Sequence, residues 1–142
     1  MKKQNGFSLL EILVVFAIIG ILSALAASSF SSAQMRARDS ARKSDMAQLR
    51  SSLELAKSDN GLYYFVAGNS GNVYATLKTF LQGGGYMKSV PGDPKTGADY
   101  FYSSVSGSDY TLVACLENAK DSKADVNKNG YCTTASYTLT AP

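Results

Sequence analysis

A chain of 142 residues is long enough for one domain and too short for two sizeable ones. It has no His and no Trp, which removes His-based nucleophilic triads, His metal ligands and most general-base schemes. Removing Lys2 and Lys3 from the 14 basic residues leaves 12 against 11 acidic ones, so the formal charge of +3 does not support DNA or an acidic lipid as a partner.

Phe7 to Ala27 is an apolar run with a single charge, Glu11. As a helix it would extend about 30 Å, the thickness of a bilayer core. Three readings compete. Lys2 and Lys3 with Ala24-Leu25-Ala26 fit a cleaved secretory signal, and the same run fits a plain single-pass anchor. The third reading is a segment cut before the apolar run, which then stays on the protein. A carboxylate in an apolar helix costs a few kcal/mol when it has no partner, and neither a signal nor an anchor gains from it. A cut between Gly6 and Phe7 would create a cationic α-amino group four residues before Glu11, on its own chain or on a staggered neighbour. That reading gives the carboxylate a reason to be there.

Gly6-Phe7-Ser8-Leu9-Leu10-Glu11, followed by Ile12-Leu13-Val14-Val15 and Ile18-Ile19-Gly20-Ile21-Leu22, resembles the N-terminus of type IV prepilins and type II secretion pseudopilins. The resemblance implies cleavage after Gly6 by a prepilin peptidase, N-methylation of Phe7, and pairing of Glu11 with the N-terminus of an adjacent subunit. It implies partners as well: further copies of the chain in a helical homopolymer, an inner-membrane assembly platform, and membrane lipid before assembly. One departure is Ser28, where the family usually carries a proline that marks a kink or melted segment.

Arg36, Arg38, Arg42 and Lys43 follow the apolar run and outnumber Lys2 and Lys3 before it. A count of positive charges would place the body of the protein in the cytoplasm. The cysteines and the resemblance place it outside the cytoplasmic membrane, and they take precedence. The basic cluster itself reads as a solvated helix face just beyond the membrane.

From Ser31 to Asp59 the chain is polar but helical in pattern. Met46, Leu49, Leu53 and Ala56 form a narrow apolar stripe, and Asp39 with Lys43 and Arg50 with Glu54 are spaced as i,i+4 pairs. Asp59-Asn60-Gly61 is a helix stop. The expectation is one helix of roughly 50 residues, apolar first and amphipathic later. Asn72 to Leu81 predicts a short helix with Asn72 as N-cap, ended by Gly83 to Gly85. A loop pinned by Pro91 and Pro94 follows. Asp99 to Val105 and Asp109 to Glu117 then read as strands about a Ser106-Gly107-Ser108 turn, and Ser136 to Leu139 as a third. The many tyrosines read as core and cross-strand packing in preference to a glycan-stacking surface.

Ser58-Asp59-Asn60-Gly61-Leu62-Tyr63 and the stretch from Tyr86 through Tyr100 extend the resemblance, with Tyr64 in place of a usual proline. The implied architecture is α+β, the pilin fold: a long N-terminal α-helical spine packed against a small antiparallel sheet. The organisation expected is a leader at 1–6, a membrane and filament-core helix at 7–30, and a head with the amphipathic half-helix at 31–142.

Cys115 and Cys132, an even count behind an export segment, are expected to form one disulfide. Such a bridge is commoner in type IV pilins than in major pseudopilins and tilts the reading toward a pilus. Inside the loop, Asp125-Val126-Asn127-Lys128-Asn129-Gly130 matches the first half of an EF-hand calcium loop, with Asp125, Asn127 and Asn129 as oxygen ligands. Ser136 stands where the bidentate Glu belongs, and the acids and lysines from Glu117 to Lys128 cancel, so a turn-rich solvent loop is favoured over calcium. The function expected is a non-enzymatic filament subunit of a pilus or a secretion pseudopilus. It would be held in the cytoplasmic membrane with its head outside and then incorporated into an extracellular pilus or periplasmic pseudopilus. The alternative is a monomeric secreted or membrane-anchored binding module with a conventional signal.

Overall fold

In the computed structural model, residues 8–125 and 130–142 are described, apart from the side chains of 26–28. A single helix, α1, runs from Leu9 to Asn60 without a break at Ser28. No proline precedes Pro91, and Gly20 is the only glycine inside the helix, so nothing in the sequence removes a backbone donor or loosens a turn. The stop lies where the sequence places it. Gly61 takes φ +80° and donates its N–H to Lys57 O at 2.7 Å, while Asn60 Nδ2 donates to Ala56 O at 2.7 Å.

The chain divides into two compact units, Met1–Met35 and Arg36–Pro142. In the first, the described side chains are exposed from Ser8 through Gln34, and the helix is apolar and long enough to cross a membrane by length and composition.

In the second unit, the later part of α1 contributes the predicted stripe of Met46, Leu49, Leu53 and Ala56 to the core. The three-stranded antiparallel sheet has the order β1 (Phe101–Ser103), β2 (Thr111–Leu116), β3 (Ala135–Thr140). Tyr102 pairs with Leu112, and Leu112 with Leu139, so the central strand carries Leu112 and Ala114 into the core. The first two strands are shorter than expected. The 72 region occupies the outer edge of β1: Asn72 Oδ1 accepts from Tyr102 N at 3.1 Å and Val73 N donates to Tyr102 O at 2.9 Å. Cys132 lies three residues before β3.

The short helix α2 spans Tyr74–Gly83, with Val73 at the N-cap position in place of Asn72. Asn72 still serves the helix start, because its Oδ1 also accepts from Tyr74 N at 3.0 Å. Its remaining contact, Nδ2 to Tyr100 O at 3.1 Å, is what shifts it outward: the side chain bridges helix and sheet.

Tyrosines fill the core as expected of a tryptophan-free sheet. Tyr63 meets Tyr110 edge-on with ring centroids 4.8 Å apart, and Tyr102 stacks on Tyr110 at 5.9 Å. Four hydroxyls reach acceptors, Tyr63 on Glu54, Tyr74 on Pro91 O, Tyr100 on Asp45 and Tyr102 on Tyr64 O, whereas the buried Tyr110 hydroxyl has no hydrogen-bond partner among the described residues. Glu54 thus receives a tyrosine from another part of the head.

Candidate assembly segment and the buried arginine

Glu11 sits in the first turn of α1, and its N–H donates to Ser8 O at 3.1 Å. A carboxylate there lies at the positive end of the helix dipole. Around it, Leu9 is 82% exposed and Leu10 71%, so the carboxylate is flanked by uncovered aliphatic surface. Chemically this is a cation-seeking group set in a surface that water disfavours. Packed helices satisfy both demands when a neighbour brings a positive charge to the same depth. Gly6 and Phe7, the expected cleavage and methylation positions, lie outside the described residues.

The basic stretch after the apolar run is not a solvated face. The buried stripe on α1 continues N-terminally from Met46 with the same helical spacing, through Arg42 to Asp39, and both are buried. Arg42 is a hub. Its Nε donates to Asp93 Oδ2 at 2.6 Å, and its Nη1 donates to Asp39 Oδ1 at 2.7 Å and to Glu117 Oε1 at 2.9 Å. Arg38 grips Glu117 with both branches, Nε to Oε1 at 2.7 Å and Nη2 to Oε2 at 2.8 Å. Lys95 Nζ adds a contact to Glu117 Oε2 at 3.0 Å, and Lys43 Nζ donates to Asp121 Oδ2 at 2.6 Å. The expected partner of Asp39 was Lys43. Three residues along the helix, Arg42 lies on the same buried face, whereas Lys43 is directed to Asp121.

Each carboxylate and guanidinium of the cluster has hydrogen-bond partners, as burial requires. Asp39 accepts the backbone N–H groups of Glu117 and Asn118 at 3.0 and 2.9 Å, closing the end of β2. Asp93 Oδ1 accepts from the N–H groups of Lys95 and Thr96 at 2.9 Å each, folding the proline-rich loop around its own carboxylate. Burial pushes the Asp93 carboxyl up, but Arg42 and those two N–H groups outweigh it and bring it down to about 2. Glu117 is held well below the carboxylate range, chiefly by Arg38 and against some desolvation. For Arg42, desolvation disfavours the cation, but its three carboxylate partners overcome this and raise its pKa.

Sequence reasoning placed Arg38, Arg42 and Glu117 in other roles and did not single out Asp93. The available signal was the continuation of the 46-49-53-56 spacing back to 42 and 39, which put a charged pair on a buried face.

Cys115 and Cys132 form the expected disulfide. Of the calcium residues, Asn127 and Asn129 lie outside the described residues. The Asp125 backbone pairs with Ser136, and its Oδ2 accepts from Thr138 N at 3.1 Å, so its side chain is engaged with β3. Among the described residues, no group of three or more His, Cys, Asp or Glu side chains is arranged to hold a metal ion.

The model of the prokaryotic N-terminal methylation motif matches residues 1–27. The type II secretion system core protein G of Klebsiella pneumoniae is 33% identical over 108 residues, 70% of this chain and 74% of that protein. Its counterpart in Vibrio cholerae serotype O1 is 33% identical over 109 residues, 73% of each chain. That of Escherichia coli strain K12 is 33% identical over 105 residues, 69% of this chain and 70% of that protein. No solved structure matches the chain.

Proposed function

From its membership of the type II secretion system core protein G family, to which the chain belongs, we propose that it is a non-enzymatic structural subunit that polymerises into a pseudopilus. In this reading residues 1–6 are a leader removed by a prepilin peptidase after Gly6, and the new N-terminus at Phe7 is methylated. Residues 7–30 hold the subunit in the cytoplasmic membrane with residues 31–142 outside it. On recruitment by an assembly platform the same helix moves from lipid into the filament core. Glu11 selects the position of each incoming subunit by meeting the positive N-terminus of a neighbour, while Leu9, Leu10, Ile12 and the following aliphatic residues supply cohesion. Repeated head-to-tail association that does not close on itself yields a filament rather than a ring.

The observation that carries this reading is the uncovered apolar surface of the N-terminal helix, from Leu9 at 82% exposed to Phe30 at 65%. Such a surface marks a membrane or protein contact. Lipid covers it before assembly, and sister helices cover it afterwards. The disulfide had tilted the sequence toward a pilus; the core protein G relatives outweigh it, since their similarity spans about 70% of the chain and the disulfide is one local feature.

Mass spectrometry of the mature protein tests the proposal. A chain beginning at methylated Phe7 is expected. A chain beginning at Ala27, or one retaining Met1, would support a secreted or anchored monomer instead.

A further inference from the structure

The segment joining β2 to β3 is held in an unusual way. Among its described residues, from Glu117 to Thr134, the only buried side chain is Cys132. Apart from Tyr131, whose ring lies 5.0 Å from that of Phe101, its other attachments are polar. Glu117 and Asn118 offer their N–H groups to Asp39, Glu117 receives Arg38, Arg42 and Lys95, and Asp121 receives Lys43. A segment with so little buried apolar surface opens locally at low cost unless something restrains it. The Cys115–Cys132 bridge, spanning 17 positions, is that restraint, and a bridge of this span shifts such an opening by roughly a hundred-fold.

The carboxylates carried by this segment face the cations that directly follow the apolar run. Arg38 is engaged by Glu117 and Lys43 by Asp121, and Arg36 remains exposed, whereas Arg42 is held by Asp39 and Asp93 as well as by Glu117. We infer that the disulfide is a redox latch: its formation docks residues 117–121 on α1 and withdraws Arg38 and Lys43 from the surroundings. In the reduced chain these two residues join Arg36 in a basic stripe open to anionic headgroups, while Arg42 stays on Asp39 and Asp93. In the oxidised chain the stripe is neutralised internally.

Latching is a thiol–disulfide exchange. The two cysteine thiols give up two protons and two electrons to a disulfide-bearing oxidant, by way of a mixed disulfide, and the oxidant leaves as a dithiol. A dithiol reductant reverses the step. The inference stands on the geometry of the second unit and does not depend on the pseudopilus reading.

The test uses the full chain in neutral detergent micelles. Arginines are labelled with phenylglyoxal and the products mapped by mass spectrometry, with exposed Arg36 as the internal reference. In the oxidised chain Arg38 should label slowly. After treatment with dithiothreitol, and in the Cys115→Ser/Cys132→Ser variant, labelling of Arg38 relative to Arg36 should rise at least about ten-fold, with Arg42 still protected by Asp39 and Asp93 and the near-ultraviolet tyrosine signal of the core retained. Glu117→Gln in the oxidised chain should accelerate Arg38 labelling without any change in the cysteines. Unchanged protection of Arg38 after reduction would overturn the latch. So would collapse of the tyrosine signal together with the rise in labelling, because the bridge would then hold the whole core rather than one segment. Slow Arg38 labelling in Glu117→Gln would overturn the role assigned to that carboxylate.

Discussion

Arg42 Nε donates to Asp93 Oδ2 at 2.6 Å, joining α1 to the proline-rich loop across 51 positions of sequence. The same guanidinium reaches Asp39 on its own helix and Glu117 beyond β2. Removing it leaves the buried Asp39 and the half-buried Asp93 without a cation, which is the costly way to break a buried ion cluster. Arg42→Ala is therefore expected to lower stability by about 3–5 kcal/mol. The triple change Asp39→Asn, Arg42→Met, Asp93→Asn should cost less than the sum of its parts, because no charge is left without a partner. Chemical denaturation of the full chain in detergent, followed by tyrosine circular dichroism, checks both. Additive losses would show that the cluster does not act as a unit.

The same cluster sets an acid limit. Asp93 is brought down to about 2 and Glu117 is held below its usual range, so both have lower pKa values folded than unfolded. Their contribution to stability is fully present above the unfolded values of about 4 and is lost as pH falls through the folded ones. Denaturation midpoints should be flat above about pH 5 and decline toward pH 2. Glu117→Gln should flatten part of that decline. An equally steep curve in the variant would place the acid sensitivity elsewhere.

At high pH the tyrosines report on the core. Burial first, together with Asp45 for Tyr100, raises Tyr74, Tyr100 and Tyr102 above the phenol value, and burial pushes Tyr110 up to about 12 despite Arg50. These raised values contribute stability that is complete below about pH 10 and is lost as pH rises through the folded pKa values. Absorbance titration should therefore show a class of tyrosines that ionises only as the head unfolds. Absence of that class would contradict the burial of these rings.

Gly107 and Gly61 both take positive φ, +76° and +80°, but their surroundings differ. A Cβ on Gly107 would lie 2.8 Å from Phe65 Cδ1 and 2.9 Å from Tyr63 O, where Tyr63 N already donates to Gly107 O. A Cβ on Gly61 meets nothing within 4 Å. Gly61→Ala should cost about 1–2 kcal/mol from backbone strain alone, and Gly107→Ala distinctly more. Thermal unfolding of the two variants gives the comparison, and equal losses would mean that the turn yields freely.

Glu11→Val tests the assembly role without touching the second unit. The variant should insert and fold as the parent does, with the same thermal transition of the head, yet fail to form ordered filaments when co-expressed with the secretion machinery. A second variant, Glu11→Asp, keeps the charge and should retain partial assembly. Normal filaments from Glu11→Val would remove the electrostatic account of register.

The sequence by itself determined the long helix, its stop at Asn60-Gly61, the Met46 to Ala56 stripe, the order of the strands and the membership of the cysteine pair. Each depends on local rules: helical period, the conformational freedom of glycine, alternation of residue types, and a count of thiols. The apolar run with its lone Glu11 was legible for the same reason, since the cost of a carboxylate in an apolar helix does not depend on the fold. Arg42 and its partners were decided only by the tertiary structure. Asp39, Arg42, Asp93 and Glu117 are far apart in the chain, and a charged residue is as well accommodated in water as in a satisfied cluster. Nothing local distinguishes the two states. Only when the loop after Pro91 and the end of β2 converge on one face of α1 does the chain supply enough acceptors to take that arginine out of solvent.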